Sequence, residues 1–157
     1  MPHRVKNGRT VNGLDELRKL ADSDLGTSDW ITVTQDRIDG FADATDDHQW
    51  IHVDPERAED GPFGAPIAHG HLTLALFIPL FTQLLDVRGV TTKVNYGLNK
   101  VRFPAPVTVG ARLRLAARLA TVDEVPGGVQ LTVDGTMEIE GGTKPACVLQ
   151  SLSRFLL

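Results

Sequence analysis

The spacing of apolar residues changes near Gly89: before it they recur at helical intervals, and after it they alternate. Leu14, Leu17, Leu20 and Ala21 fall on one helical face, which predicts a short amphipathic helix ending before the polar run Asp22 to Ser28. Trp30 to Thr34 is rich in β-branched and aromatic residues and reads as a short strand. Ile38, Phe41 and Ala42 mark one face of a helix over about 35–45. From Ile67 to Leu85 the chain is apolar nearly all round, the pattern of a helix buried on most sides, with Pro79 as a place for a kink. Beyond Gly89, Val101 and Phe103 oppose Lys100 and Arg102, and Leu113, Leu115, Ala117 and Leu119 oppose Arg112, Arg114 and Arg118. Gly127-Gly128 and Gly141-Gly142 supply hairpin turns around 129–140 and 146–156. Helices followed by long antiparallel strands predict an α+β layer in which one sheet wraps a central apolar helix.

Length limits this to one core: 157 residues form a single domain. We divide the chain into an N-terminal arm and short helix over 1–28 and the main domain over 29–157, the first dozen residues reading as a loose arm. A hydrophobic content of 41% with 23% charged residues excludes wholesale disorder. The run Leu72 to Phe81 contains Pro79 and is too short to span a bilayer, and Met1 to Asn12 is polar, unlike a signal peptide. A cytoplasmic chain with no membrane partner is therefore expected. Cys147 is the single cysteine, which excludes an internal disulfide and a cysteine-based metal motif. A net charge of −4 argues against nucleic acid as a partner. Yet Val87 to Val122 holds no acidic residue while carrying Arg88, Lys93, Lys100, Arg102, Arg112, Arg114 and Arg118. Two readings stand: a place for a small anionic ligand, or cations guarding strand edges.

Reactive side chains concentrate where the pattern is least regular. The stretch from Asp46 to Pro66 has three prolines and two glycines, with Asp54-Pro55 signalling a small helix that stops near Asp60-Gly61. Within it, Asp47 and His52 are five residues apart. A helix would turn them roughly 140° apart, and a strand would place them on opposite faces. They meet only if the chain bends between them, and together they would offer an acid and a base near neutral pH. The local alternative is a capping aspartate and a buried, hydrogen-bonded histidine. His48-Gln49-Trp50-Ile51-His52 has zincin spacing, but Gln49 stands where that motif needs a glutamate base, and His69 and His71 diverge around Gly70; no metal site is assigned. Gly70 itself, in Pro66-Ile67-Ala68-His69-Gly70-His71, opens the apolar helix. Its backbone N–H is a candidate oxyanion donor, or the glycine simply relieves crowding.

In this order the pieces resemble the MaoC-type dehydratases, which include (R)-specific enoyl-CoA hydratases and NodN-like proteins. Asp47, Gln49 and His52 match that family's hydratase motif. Asp54-Pro55, the segment from Gly64 to Gly70, and the segment from Asn99 to Val107 with Gly110 are also similar. The chain departs at three places: Asp46 replaces a glycine and adds a charge beside Asp47, Gln49-Trp50 replaces Asn-Pro, and Ile78 stands where some hydratases carry serine.

The resemblance implies a single hot-dog fold, a homodimer, and hydration of trans-2-enoyl-CoA to (R)-3-hydroxyacyl-CoA, or the reverse, in fatty-acid metabolism. It makes Asp47 and His52 the acid–base pair and Gly70 the donor to the thioester oxygen. It puts the CoA phosphates against basic residues, with Lys100 and Arg102 first, and calls for no metal or other cofactor. A hot-dog acyl-CoA thioesterase and a non-catalytic acyl-thioester binder are the alternatives.

Overall fold

The computed structural model describes residues 8–157. Its first half is made of short pieces: β1 (Arg9–Asn12), α1 (Gly13–Arg18), β2 (Ser23–Thr27), β3 (Ile31–Thr32), α2 (Gln35–Thr45), α3 (Trp50–Val53), α4 (Pro55–Glu59), α5 (Gly70–Ala75) and α6 (Phe77–Leu84). Strands follow: β4 (Leu85–Arg88), β5 (Thr92–Arg102), β6 (Arg112–Val125), β7 (Gly128–Ile139) and β8 (Cys147–Leu156). Alternation built the long strands as expected. The main sheet is antiparallel in the order β2-β6-β7-β8-β5, with β3 also paired to β6.

One face of that sheet is dry. Leu113, Leu115 and Leu119 from β6, Val129, Leu131, Val133 and Met137 from β7, and Leu149 from β8 are buried. They belong to one core with Phe77, Leu80, Phe81 and Leu84 of α6. Each such side chain contributes on the order of 1.5–3 kcal/mol by leaving water. Gly135 sets the closeness of the packing. A Cβ there would lie 3.3 Å from the Phe77 ring and 3.2 Å from Leu115. The sheet therefore wraps the central helix, the layer arrangement predicted from the pattern.

The central helix is shorter than its apolar run. Ile67 is extended and bridges Thr108, so helical turns start at Gly70. They are interrupted at Leu76, between α5 and α6. Pro79 accounts for the interruption: it has no N–H for the Ala75 carbonyl, and its ring crowds that same group.

Three further departures have local causes. Within the arm expected over residues 1–12, residues 1–7 lie outside the described residues. Arg9–Asn12 is not loose but forms β1, parallel to β4. The polar run after Asp22 contains β2, an edge strand with only Leu25 buried, so alternation hardly shows in its sequence. No helix among the described residues is long and apolar enough to cross a membrane.

Candidate active site

The bend needed between Asp47 and His52 is made at the end of α2. Thr34 caps the start of that helix by accepting a bond from the Arg37 N–H at 3.2 Å. Its other end is Asp46, in the left-handed region at φ 57° and ψ 26°. Aspartate tolerates that conformation better than most side chains, and glycine tolerates it best. The position where the family pattern has glycine is thus a turn residue. The chain reverses there, passes Asp47, and enters the single turn of α3 that carries His52. A carboxylate oxygen of Asp47 and a ring nitrogen each of His52 and His69 lie within 4.8 Å of one another.

Backbone carbonyls decide which ring nitrogens carry hydrogen. His52 Nδ1 donates to the Ile67 carbonyl at 2.6 Å, because a carbonyl can only accept. Its Nε2 is left as the lone-pair nitrogen. Likewise His69 Nε2 donates to the Asp47 carbonyl at 2.9 Å. The two imidazoles stack with centroids 3.9 Å apart and planes 22° from parallel, and Phe41 closes the other side of His69 at 4.8 Å. Gln35 Nε2 binds the His52 carbonyl at 2.8 Å and Asp39 at 2.9 Å, tying α3 to the first turn of α2. Burial is the main influence on His52 and lowers its pKa. The neighbouring His69 lowers it further, while the Ile67 bond and Asp47 act in the opposite direction. Burial thus favours the neutral imidazole at His52, with its free lone pair on Nε2.

Asp47 is exposed, whereas His52 and His69 are buried. The site is thus a carboxylate on the surface above an imidazole in the wall. Asp47, His52 and His69 are also close enough together to hold a metal ion.

Gly70 follows His69 directly and starts α5, so its N–H has no acceptor within that helix. A Cβ on Gly70 would come within 3.2 Å of the Phe103 ring. From His71 an apolar groove of about 310 Å³ runs between the central helix and β5, past Leu74, Ile78, Tyr96 and Leu98.

Other candidates lie elsewhere. His48 turns outward and binds Asp43 at 2.8 Å. Lys100 pairs with Gln150 and Arg102 with Val148, positions that alternate with buried Leu149. Paired residues share a face. Both cations therefore stand on the outer side of the sheet, Lys100 lining a polar hollow with Arg118 and Asp134, and neither joins the Asp47–His52 cluster within this chain. Cys147 is buried, and burial pushes its thiol up to about 11. What the residue pattern did not indicate is the role of the Ile67 carbonyl, of Gln35, and of His69 as a donor to main chain. Ile67 and Gln35 carry no chemical signature, since one contributes only its carbonyl and the other is an ordinary helix-start residue. His69 stood out only as a histidine beside Gly70.

A family model described as the MaoC like domain matches residues 17–139. The 3-hydroxyacyl-thioester dehydratase Z of Mycobacterium tuberculosis is 54% identical over 149 residues, which is 94% of this chain and 99% of that protein. Nodulation protein N of Rhizobium leguminosarum bv. viciae is 48% identical over 127 residues, 78% of each chain. Among solved structures, an (R)-hydratase from A. caviae superposes with a TM-score of 0.70 at 22% identity, covering 85% of this chain and 94% of that one. The last likeness is one of fold, and the fold is the hot-dog.

The lowered His52 pKa carries a stability consequence. On the acid side of 6.5 the unfolded chain binds more protons at this position than the folded one. The contribution is present above that pH and is lost as pH falls. Between about pH 7 and about pH 5 the melting temperature of the wild type should fall more than that of His52→Gln. Equal slopes in the two thermal scans would contradict the assignment.

Proposed function

The chain belongs to the MaoC-like dehydratase family and is a dehydratase-type hydro-lyase, and from its site we propose the (R)-specific interconversion of trans-2-enoyl and 3-hydroxyacyl thioesters of CoA. One observation carries the reading: a surface carboxylate and a neutral histidine whose free nitrogen is Nε2, grouped within 4.8 Å beside a helix that opens on glycine.

Hydration requires three things of the protein. A water held between the Asp47 carboxylate and His52 Nε2 gives a proton to the pair as its oxygen bonds to C3. The pair returns a proton to C2, and so ends in its starting state. During the step, negative charge gathers on the thioester oxygen, where the Gly70 N–H stabilises it as an oxyanion donor. Both proton transfers take place on one face of the substrate, which gives syn addition. Dehydration is the same path in reverse. The apolar groove starting at His71 supports a course for the acyl chain.

A homodimer fits the same surface. β5 is an edge strand of 11 residues, nearly all exposed, and shows Val94, Tyr96 and Leu98 at 42–55% exposure beside Ile78 at 40%. A strand with one edge unpaired and apolar side chains exposed is a template for a second copy. A second copy seated there would roof the groove into a tunnel. The phosphates of CoA lie far from the reacting carbons. Arg102 precedes Phe103, the residue packed on Gly70, and Lys100 is two residues further along the strand. This supports a role for both at the rim rather than at the chemistry.

Crotonyl-CoA should lose its enoyl absorbance without release of thiol. Asp47→Asn and His52→Gln should each lower kcat by about 10²-fold or more while the fold survives. Near wild-type turnover by either variant removes that residue from the mechanism, and thiol release instead of bleaching would mark a thioesterase. Lys100→Ala and Arg102→Ala should raise KM for CoA substrates with kcat kept, because remote phosphate contacts bind ground and transition states alike. An unchanged KM in both would move the CoA site elsewhere. Sedimentation equilibrium should return the mass of two chains, and a monomer would refute the β5 interface.

A further inference from the structure

Asp47 lies where nothing in its own segment keeps it. Residues 46–49 are exposed and belong to no helix or strand. The turn begins on a left-handed non-glycine residue, and the Asp47 carboxylate makes no hydrogen bond among the described residues. A carboxylate on such a loop would sample many positions, most of them useless for sharing a water with His52. Yet the acid–base reading needs it in one place.

The contact that holds it comes from the other side of the site. His69 is 2% exposed, with its ring between Phe41 and His52. Its Nε2–H reaches the Asp47 carbonyl at 2.9 Å. Its Nδ1 is fully buried and has no partner among the described residues. That combination is informative. Buried polar atoms are normally paired, and an apolar side chain of similar size would fill this space without leaving an orphan. The bond from Nε2 and the stacking on His52 are what the imidazole supplies in exchange. Nδ1 does not reach solvent, so it has no path to substrate. His69 is thus unsuited to proton transfer, and suited to holding.

We propose that His69 is a positioning residue for the Asp47–His52 pair, its Nε2–H fixing the main chain at Asp47 and its ring face supporting the His52 imidazole. The proposal rests on the acid–base reading of that pair, and it adds a separate claim about which atom carries a hydrogen. It also gives the Pro-Ile-Ala-His-Gly segment two tasks on adjacent residues: Gly70 offers its N–H to the thioester oxygen, and His69 aligns the groups that act on C2 and C3.

Two variants separate the tasks of the ring. His69→Phe keeps a ring to stack and removes the donor, whereas His69→Gln keeps an N–H at similar reach and removes the ring. With an enoyl-CoA substrate, His69→Phe should lower kcat about 10-fold or more with KM nearly unchanged, because misplacement affects the transition state more than binding. His69→Gln should regain a substantial part of that loss. A kcat for His69→Phe within about two-fold of wild type would overturn the proposal. A second measurement needs neither substrate nor variant. Two-bond ¹H–¹⁵N correlations on histidine-labelled wild type should show His69 protonated at Nε2 and bare at Nδ1. The opposite tautomer cannot donate to the Asp47 carbonyl and would refute the proposal even in an active enzyme. A wild-type chain that leaves enoyl thioesters unchanged would instead sink the acid–base reading, with the tautomer still deciding the place of His69.

Discussion

Two segments 15 to 22 residues apart are stitched together by three hydrogen bonds, and the site depends on that seam. The Ile67 N–H donates to the Ile51 carbonyl at 3.0 Å, His52 Nδ1 returns a bond to the Ile67 carbonyl, and His69 Nε2 binds the Asp47 carbonyl. The stacked imidazoles fill the space between. Main-chain polar groups that are buried must be paired, and this irregular stretch has no ladder to pair them. The pairing that satisfies the backbone is the same pairing that sets the histidine tautomers. Structure and chemistry here share their bonds.

The central helix contributes through its ends and its exposed side. Its buried face anchors it to the sheet with Leu80 and Leu84, and its first residue is the glycine proposed to face the thioester oxygen. Ile67 and Ala68, just before it, are held by the Thr108 bridge and by the Val107 carbonyl. The helix start is therefore fixed from two directions, by the loop after β5 and by α3. Rigid support on both sides is what a preorganised donor requires, since reorganising it during reaction would cost part of the rate.

Much of this was readable from residue pattern alone, and the reason is periodicity. Alternation in β6 and β7 followed directly from one face meeting the helix and the other meeting water. The apolar run after Ile67 marked an interior helix, though one that starts only at Gly70 and is interrupted at Leu76. Legibility fell where a segment's partners lie far away in sequence. β2 hid in a polar run because an edge strand buries one side chain, and β4 because its apolar residues continue those of the helix. Lys100 and Arg102 were legible as cations, but the face they occupy depends on the register with β8, which two irregularities in β5 adjust.

By itself the sequence determined the layers, the central helix, and the chemical inventory of Asp47, His52 and Gly70, because hydropathy period and residue type are local properties. Tertiary structure alone decided that a left-handed turn at Asp46 brings the first two together, and that the Ile67 carbonyl leaves Nε2 of His52 free. It also decided that His69 reaches back to the Asp47 main chain. Those facts depend on carbonyls and ring nitrogens of distant segments meeting at hydrogen-bond distance, and a main-chain acceptor leaves no mark on the identity of its residue.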